Sequence, residues 1–404
     1  MHSILRRYVE FVRQPDVPRL LVVALLSRMP IGMVGFAMLM FLREALGNFA
    51  LAGSAVGINF VAMATVAPIV GRAIDRFGPR VPLFVTGVVQ PLALAGVLAS
   101  AKMQMSFTVV AVAAAAAGMF ASPITTLTRT AWRHRFDREE DRRTAFALDA
   151  VMIELNFTVG PAIVAAILAT AGATVAFATT LVVVVASFLI FLTSPALRYF
   201  KRDRSTRRHL LGPLTERQLW IVFLVTFGLA ASLGLIEVGY PAFATWLALP
   251  ALAGIFLSVN SVGSALGGAV FGGMRLRMPI ERQLAAAMGL MAIPLFLHGV
   301  VATAAPFGVI AFFCGTLIAP SIACQSVLVS RLAPSRYATE AFTWSSTFIV
   351  SGLGAGMALG GWLVETHGVP SAFFSGAAIL CVVATGALAI SPPLEREATA
   401  RAAD

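Results

Sequence analysis

Charge is what this chain lacks most. Asp, Glu, Lys and Arg make up 12% of its 404 residues, against 58% hydrophobic ones and a mean hydropathy of +0.87. A length that could hold two or three soluble domains therefore does not hold them. Cysteine is nearly absent. Cys314, Cys324 and Cys381 fall in apolar segments, show neither a disulfide framework nor metal spacing, and read as small buried hydrophobes. Histidine is sparse too: His2, His134, His209, His298 and His367 are scattered, and no HExxH occurs. One DxxxD spacing exists, Asp137 with Asp141, inside RHRFDREEDRR (133–143). Its interleaved arginines make internal ion pairing a simpler reading than a cation site. There is no GxxxxGK[ST] phosphate loop and no segment left over to build a nucleotide domain. No cofactor and no metal are expected.

What is present, again and again, is a long apolar run. A hydrocarbon core needs about 20 apolar residues per helix. Such runs cover roughly 20–42, 50–72, 81–100, 106–130, 145–169, 174–197, 218–244, 248–273, 283–302, 306–330, 339–364 and 370–391. The expected fold is an all-α membrane protein with 12 transmembrane helices. The apolar run after Arg19 is too long for the core of a cleavable signal.

A net charge of +11 could point to nucleic acid, but its distribution does not. With the N-terminus on the cytoplasmic side, 27 of the 30 Lys and Arg residues fall in segments on that side. Arg43 and Lys102 fall outside, and Arg28 lies within a span. This is the positive-inside pattern, and it accounts for the basic balance without a nucleic-acid partner.

The sequence also repeats itself. Residues 50–72 align without gaps on 251–273, with Asn59, Val61, Ala64 and Gly71 matching Asn260, Val262, Ala265 and Gly272. Later pairs recur at a similar offset: Gly118 and Pro123 with Gly315 and Pro320, and Gly172 with Gly368. Two six-helix bundles, 1–197 and 218–404, are the economical division, joined by a basic cytoplasmic linker at 198–217. Transporters are commonly built from such repeats.

One polar stretch is distinctive. In GRAIDRFGPR (71–80), Gly78 followed by Pro79 reads as a helix C-cap and stop, ending the helix near Phe77. Arg72 and Arg76 suit the negative end of the helix dipole; Asp75 does not and needs a cationic partner. Gly71, Asp75, Arg76, Gly78 and Arg80 match Gly-x-x-x-Asp-Arg/Lys-x-Gly-Arg/Lys-Arg/Lys, with Pro79 standing where a basic residue is usual. Here the chain resembles the major facilitator superfamily, in the loop between its second and third membrane helices. The resemblance implies two six-helix halves that alternate between inward-open and outward-open states, with this loop as a cytoplasmic gate and solute bound between the halves. The second copy keeps only Arg277 of the loop's charge set, so a latch would lie in the first.

Charges inside the spans are costly and are functional candidates. Arg28 shares a face of the first helix with Gly32 and Gly35, and faces protein or water unless it snorkels to the interface. In the fifth helix, Asp149, Asn156 and Gly160 share one face, while Glu154 points about 140° away from Asp149. Arg28 and Glu154 come to similar depths, about 13 and 15 Å. The resemblance makes the first and fifth helices neighbours, so an Arg28–Glu154 pair is expected, with Asp149 turned to the basic loop 129–143. Gly160-Pro161 resembles part of the fifth-helix antiporter motif, a candidate kink that tilts the reading to export. Asn156 and Val164-Ala165 depart from that motif. Glu237 is either a protonatable coupling group or, with Tyr240, Pro241 and Trp246 following, part of the interface or an outer gate. Asn59 and Asn260 are repeat equivalents suited to interhelical hydrogen bonding. Gln90, His298 and Gln325 are lone polar groups, of which the resemblance gives Gln325 the best claim on the cleft.

The expected function is secondary transport of a small organic solute by alternating access, as proton-coupled export. A proton symporter or uniporter importing a small metabolite is the alternative. Protons and the lipid bilayer are the other partners, the protein being a monomer of the bacterial inner membrane with both termini cytoplasmic. A membrane-embedded enzyme acting on lipid would need an acidic metal motif or a Ser/His/Asp set at the surface, and neither is present. A sensor or scaffold would have no use for both a gate loop and intramembrane charge.

Overall fold

The computed structural model describes residues 10–136, 138–199, 212–274, 276–334 and 338–390. Among them every regular element is helical. Eleven helical stretches are long and apolar enough to cross a bilayer, from Val17–Leu46 to Val369–Leu388. One of these, Thr144–Leu192, has 49 residues. At 1.5 Å per residue it would be roughly 70 Å long, more than twice the hydrocarbon thickness. Gly172 resolves the excess. Its φ of 84° and ψ of 171° lie where essentially only glycine goes, and they interrupt the helix to give a fifth and a sixth span. Twelve spans result. Gly368, its partner in the repeat, takes φ 83° and ψ 168° between Ala338–His367 and Val369–Leu388, the eleventh and twelfth spans.

Two further breaks recur in the repeat. The fourth span consists of Phe107–Met119 and Ile124–Arg135, interrupted at 120–123. The tenth consists of Ala304–Gly315 and Ile318–Leu332. These are the Gly118/Pro123 and Gly315/Pro320 positions. The first span is also broken, into Val17–Ser27 and Pro30–Leu46, because Pro30 brings no N–H and starts a new helix. The seventh, Arg217–Trp246, runs on through Pro241. Symmetry stops there.

Packing divides the described chain into two compact units. One takes residues up to Gly47 together with those from Thr65 to 199. The other takes Asn48–Ala64 and the described residues from 212 onward. The second span, Phe49–Phe77, thus contributes to both. Lipid tails are as apolar as leucine, so helices associate in a bilayer through close packing rather than hydrophobic expulsion. In the first unit, a Cβ on Gly32 would run into the Asn156 carbonyl, and one on Gly160 would meet the Gly32 backbone. The first and fifth spans therefore touch backbone to backbone. At one end of this unit Phe11, Leu20, Trp132, Phe136 and Phe191 form a buried plug. In the second unit, Gly234 and Gly356 seat the seventh span on the eleventh. Phe49 N donates to Glu365 Oε2 at 3.0 Å and Leu51 N to Asn48 Oδ1 at 2.8 Å, which caps the second span within the same unit.

Candidate functional site

The first unit holds a buried charge cluster at the break in the first span. Arg28 sits in the turn between its two helices, with a side chain sealed from solvent. Its Nη1 donates to Asp149 Oδ1 at 2.7 Å. Arg129 Nε donates to Asp149 Oδ2 at 3.1 Å, and Trp132 Nε1 to Oδ1 at 3.2 Å. Arg28 Nη2 lies 3.5 Å from the Thr125 carbonyl, just past the break in the fourth span. One carboxylate therefore faces two guanidinium groups and an indole, and the cluster keeps one net positive charge. Gln90 Oε1 accepts from Ser122 N at 3.1 Å, supplying one partner that the broken fourth span has lost.

The expected Arg28–Glu154 pair does not form. The backbone contact of Gly32 with Asn156 and Gly160 turns the Asp149 face of the fifth span to the first, and Glu154 lies about 140° around that helix. Depth matched, but azimuth decides. The Glu154 carboxylate is half-buried and has no ion-pair partner among the described residues. Asp149 reaches Arg129, inside the basic stretch, as well as Arg28. Trp132 is a member that sequence reasoning missed. Its signal was available, since a buried indole N–H needs an acceptor. Asn156 is fully buried, and among the described residues neither its amide nitrogen nor its oxygen has a partner. The backbone stays helical through Gly160-Pro161 and departs only at Gly172. The observed part played by Gly160 is its contact with Gly32.

The second unit builds a different centre. Tyr240 is fully buried among Phe256, Phe307 and Phe373, with His298 5.1 Å away between ring centroids. Asn260 donates to the Ala311 carbonyl at 3.0 Å and reaches Tyr240 Oη at 3.4 Å. His298 Nδ1 contacts the Pro294 carbonyl at 2.8 Å, while Nε2 is buried without a partner among the described residues. Glu237, one turn before Tyr240, makes no side-chain hydrogen bond or ion pair among the described residues. Gln325 donates to Ser345 Oγ at 2.6 Å, joining the tenth and eleventh spans. Asn59, in the same unit, is buried. No group of three His, Cys, Asp or Glu side chains among the described residues is placed to hold a metal ion.

In the stretch 71–80 the helix end follows what its residues imply. The helix ends at Phe77, and Gly78 takes φ 83° with its N–H on the Ile74 carbonyl at 2.9 Å. Arg76 is exposed and lies over the Phe77 ring, and Gly71 has open space around it. Arg80 opens the third span, Arg80–Lys102. The Asp75 side chain and the acidic members of 133–143, apart from Asp141, lie outside the described residues.

No curated protein is similar enough in sequence to register as a match. Solved structures share the fold. A nucleoside transporter, NupG, superposes with a TM-score of 0.75 at 14% identity, over 92% of this chain and 98% of that one. A bacterial homologue of the iron transporter ferroportin, in its inward-facing state, gives 0.73 at 16% identity, over 92% and 97%. The sequence profile of the Major Facilitator Superfamily matches residues 20–352. Twelve spans in a repeated arrangement, a charged loop after the second, buried charge at a helix break and that match lead to one statement: this chain belongs to the Major Facilitator Superfamily and is a transporter of small solutes.

Proposed function

We infer that the protein is a secondary active transporter that exports a small organic solute by alternating access, in exchange for protons. The observation that carries this reading is the Arg28–Asp149–Arg129 cluster. An ion pair sealed in a membrane span is expensive to bury and gains little stability over an apolar pair. Its use lies in having two arrangements. Asp149 has two cations to choose from, one fixed in the break of the first span and one half-exposed toward the end of the fourth. A rearrangement of the first or fourth helix at its break changes which of them it holds.

Protons need a carrier. Glu237 is a carboxyl group with no cation beside it among the described residues, one turn from Tyr240 and the Asn260 network, and it is the group assigned to take up and release the proton. The partial antiporter pattern at Gly160-Pro161 supports export. In this account the gate stretch 71–80 faces the cytoplasm, both termini lie on that side, and the membrane is the bacterial inner membrane.

Everted vesicles with an acidic lumen, so that protons leave as solute enters, should accumulate the solute. Accumulation only in right-side-out vesicles would make the protein an importer.

A further inference from the structure

The first unit has a cleft apart from the Arg28–Asp149 cluster, sharing only Arg80 with the stretch 71–80. It has a volume of about 740 Å³ and lies where the start of the first span, the start of the third and the end of the sixth come together. Its polar rim is Arg19, Arg80 and Arg198, with Thr193 and Ser194 between them. Its floor is apolar and includes Phe84 and Val81, which are 60% and 58% exposed. Among the described residues, no acidic side chain lines it. Arg19 Nη2 is held by the Thr193 carbonyl at 2.9 Å, whereas Arg80 and Arg198 have no hydrogen bond or ion pair among the described residues.

The three arginines mark the depth at which span ends meet headgroups, and the exposed phenylalanine and valine mark the beginning of hydrocarbon. Arginine forks match phosphate oxygens, and the first turn of the third span adds a favourable helix-dipole end. A soluble anion would use the rim alone. Only a molecule with a phosphate at one end and hydrocarbon at the other uses both.

We propose that this cleft binds one anionic glycerophospholipid of the leaflet on the arginine-rich side, its phosphate among Arg19, Arg80 and Arg198 and an acyl chain along Phe84 and Val85. The proposal does not depend on solute, direction or coupling, so it can fail without the transport reading failing, and the reverse.

Native mass spectrometry of the full-length protein, released from detergent with phosphatidylglycerol or phosphatidylcholine, tests it. One phosphatidylglycerol should be retained in preference to phosphatidylcholine. The Arg80→Gln/Arg198→Gln variant should bind it about thirtyfold more weakly, at the usual contribution of each basic residue to anionic-lipid binding. Arg277→Gln/Arg282→Gln, which removes the same charge from the other unit, should bind normally. Val85→Trp, which fills the floor and leaves every charge in place, should also lower retention. Equal retention of the two lipids, or equal loss in the control variant, would overturn the assignment. Displacement of the lipid by excess inorganic phosphate would show a soluble-anion site and overturn it as well.

Discussion

Arg28 Nη1 lies 2.7 Å from Asp149 Oδ1, with both side chains sealed from solvent. The pair joins a turn in the first span to the near end of the fifth, and removing Asp149 strands the Arg28 guanidinium, whereas Asp149 would keep Arg129 and Trp132.

Asp149→Asn should therefore cost about 3–5 kcal/mol, the usual penalty for an orphaned buried charge. The loss would appear as a lower thermal unfolding midpoint in detergent. Replacing both partners, Arg28→Met with Asp149→Leu, should return most of that stability without returning transport. If transport also returned, the pair would be a structural clamp only.

Gly32→Ala should lower stability by about 1–3 kcal/mol, the range for overpacking, because the new methyl meets the Asn156 carbonyl. Gly289→Ala is the control. A Cβ there meets nothing within 4 Å, and the helix should gain about 0.5–1 kcal/mol. Paired unfolding curves check both.

Glu237→Gln should leave solute exchange running and abolish uptake driven by a pH gradient, since the amide keeps the shape and carries no proton. Counterflow and proton-driven assays on the same vesicles separate the two. A normal proton-driven rate would move the coupling role to Glu154.

Asp75→Asn should slow transport about tenfold, within the usual range of coupling energies, while the unfolding midpoint stays in place. Transport at the wild-type rate would remove the latch from the gate stretch.

Most of the fold was legible in the residues. Apolar run length placed the spans, Gly78 marked the end of the second near Phe77, and the repeat paired Gly118 and Pro123 with Gly315 and Pro320 without foretelling the helix breaks there. The break at Pro30 was not read from the sequence, because most other prolines in these helices leave them intact. The pairing of Arg28 was not legible from depth. It depends on which face of the fifth span Gly32 meets, and that is decided by packing between segments over a hundred residues apart. The division of the second span between two units was hidden for the same reason. It arises from glycines on the eleventh span, such as Gly354 and Gly361, that approach the backbone of residues 49–57.

Gly172 and Gly368 set a limit on how this protein can diverge. Charges can be lost from one copy, as the second counterpart of the gate stretch already shows, and aromatic rings can replace ion pairs. A backbone angle open to one amino acid has no such freedom. The two halves are thus tied to each other most tightly by two residues without side chains, whose backbone angles no other amino acid would take at little cost.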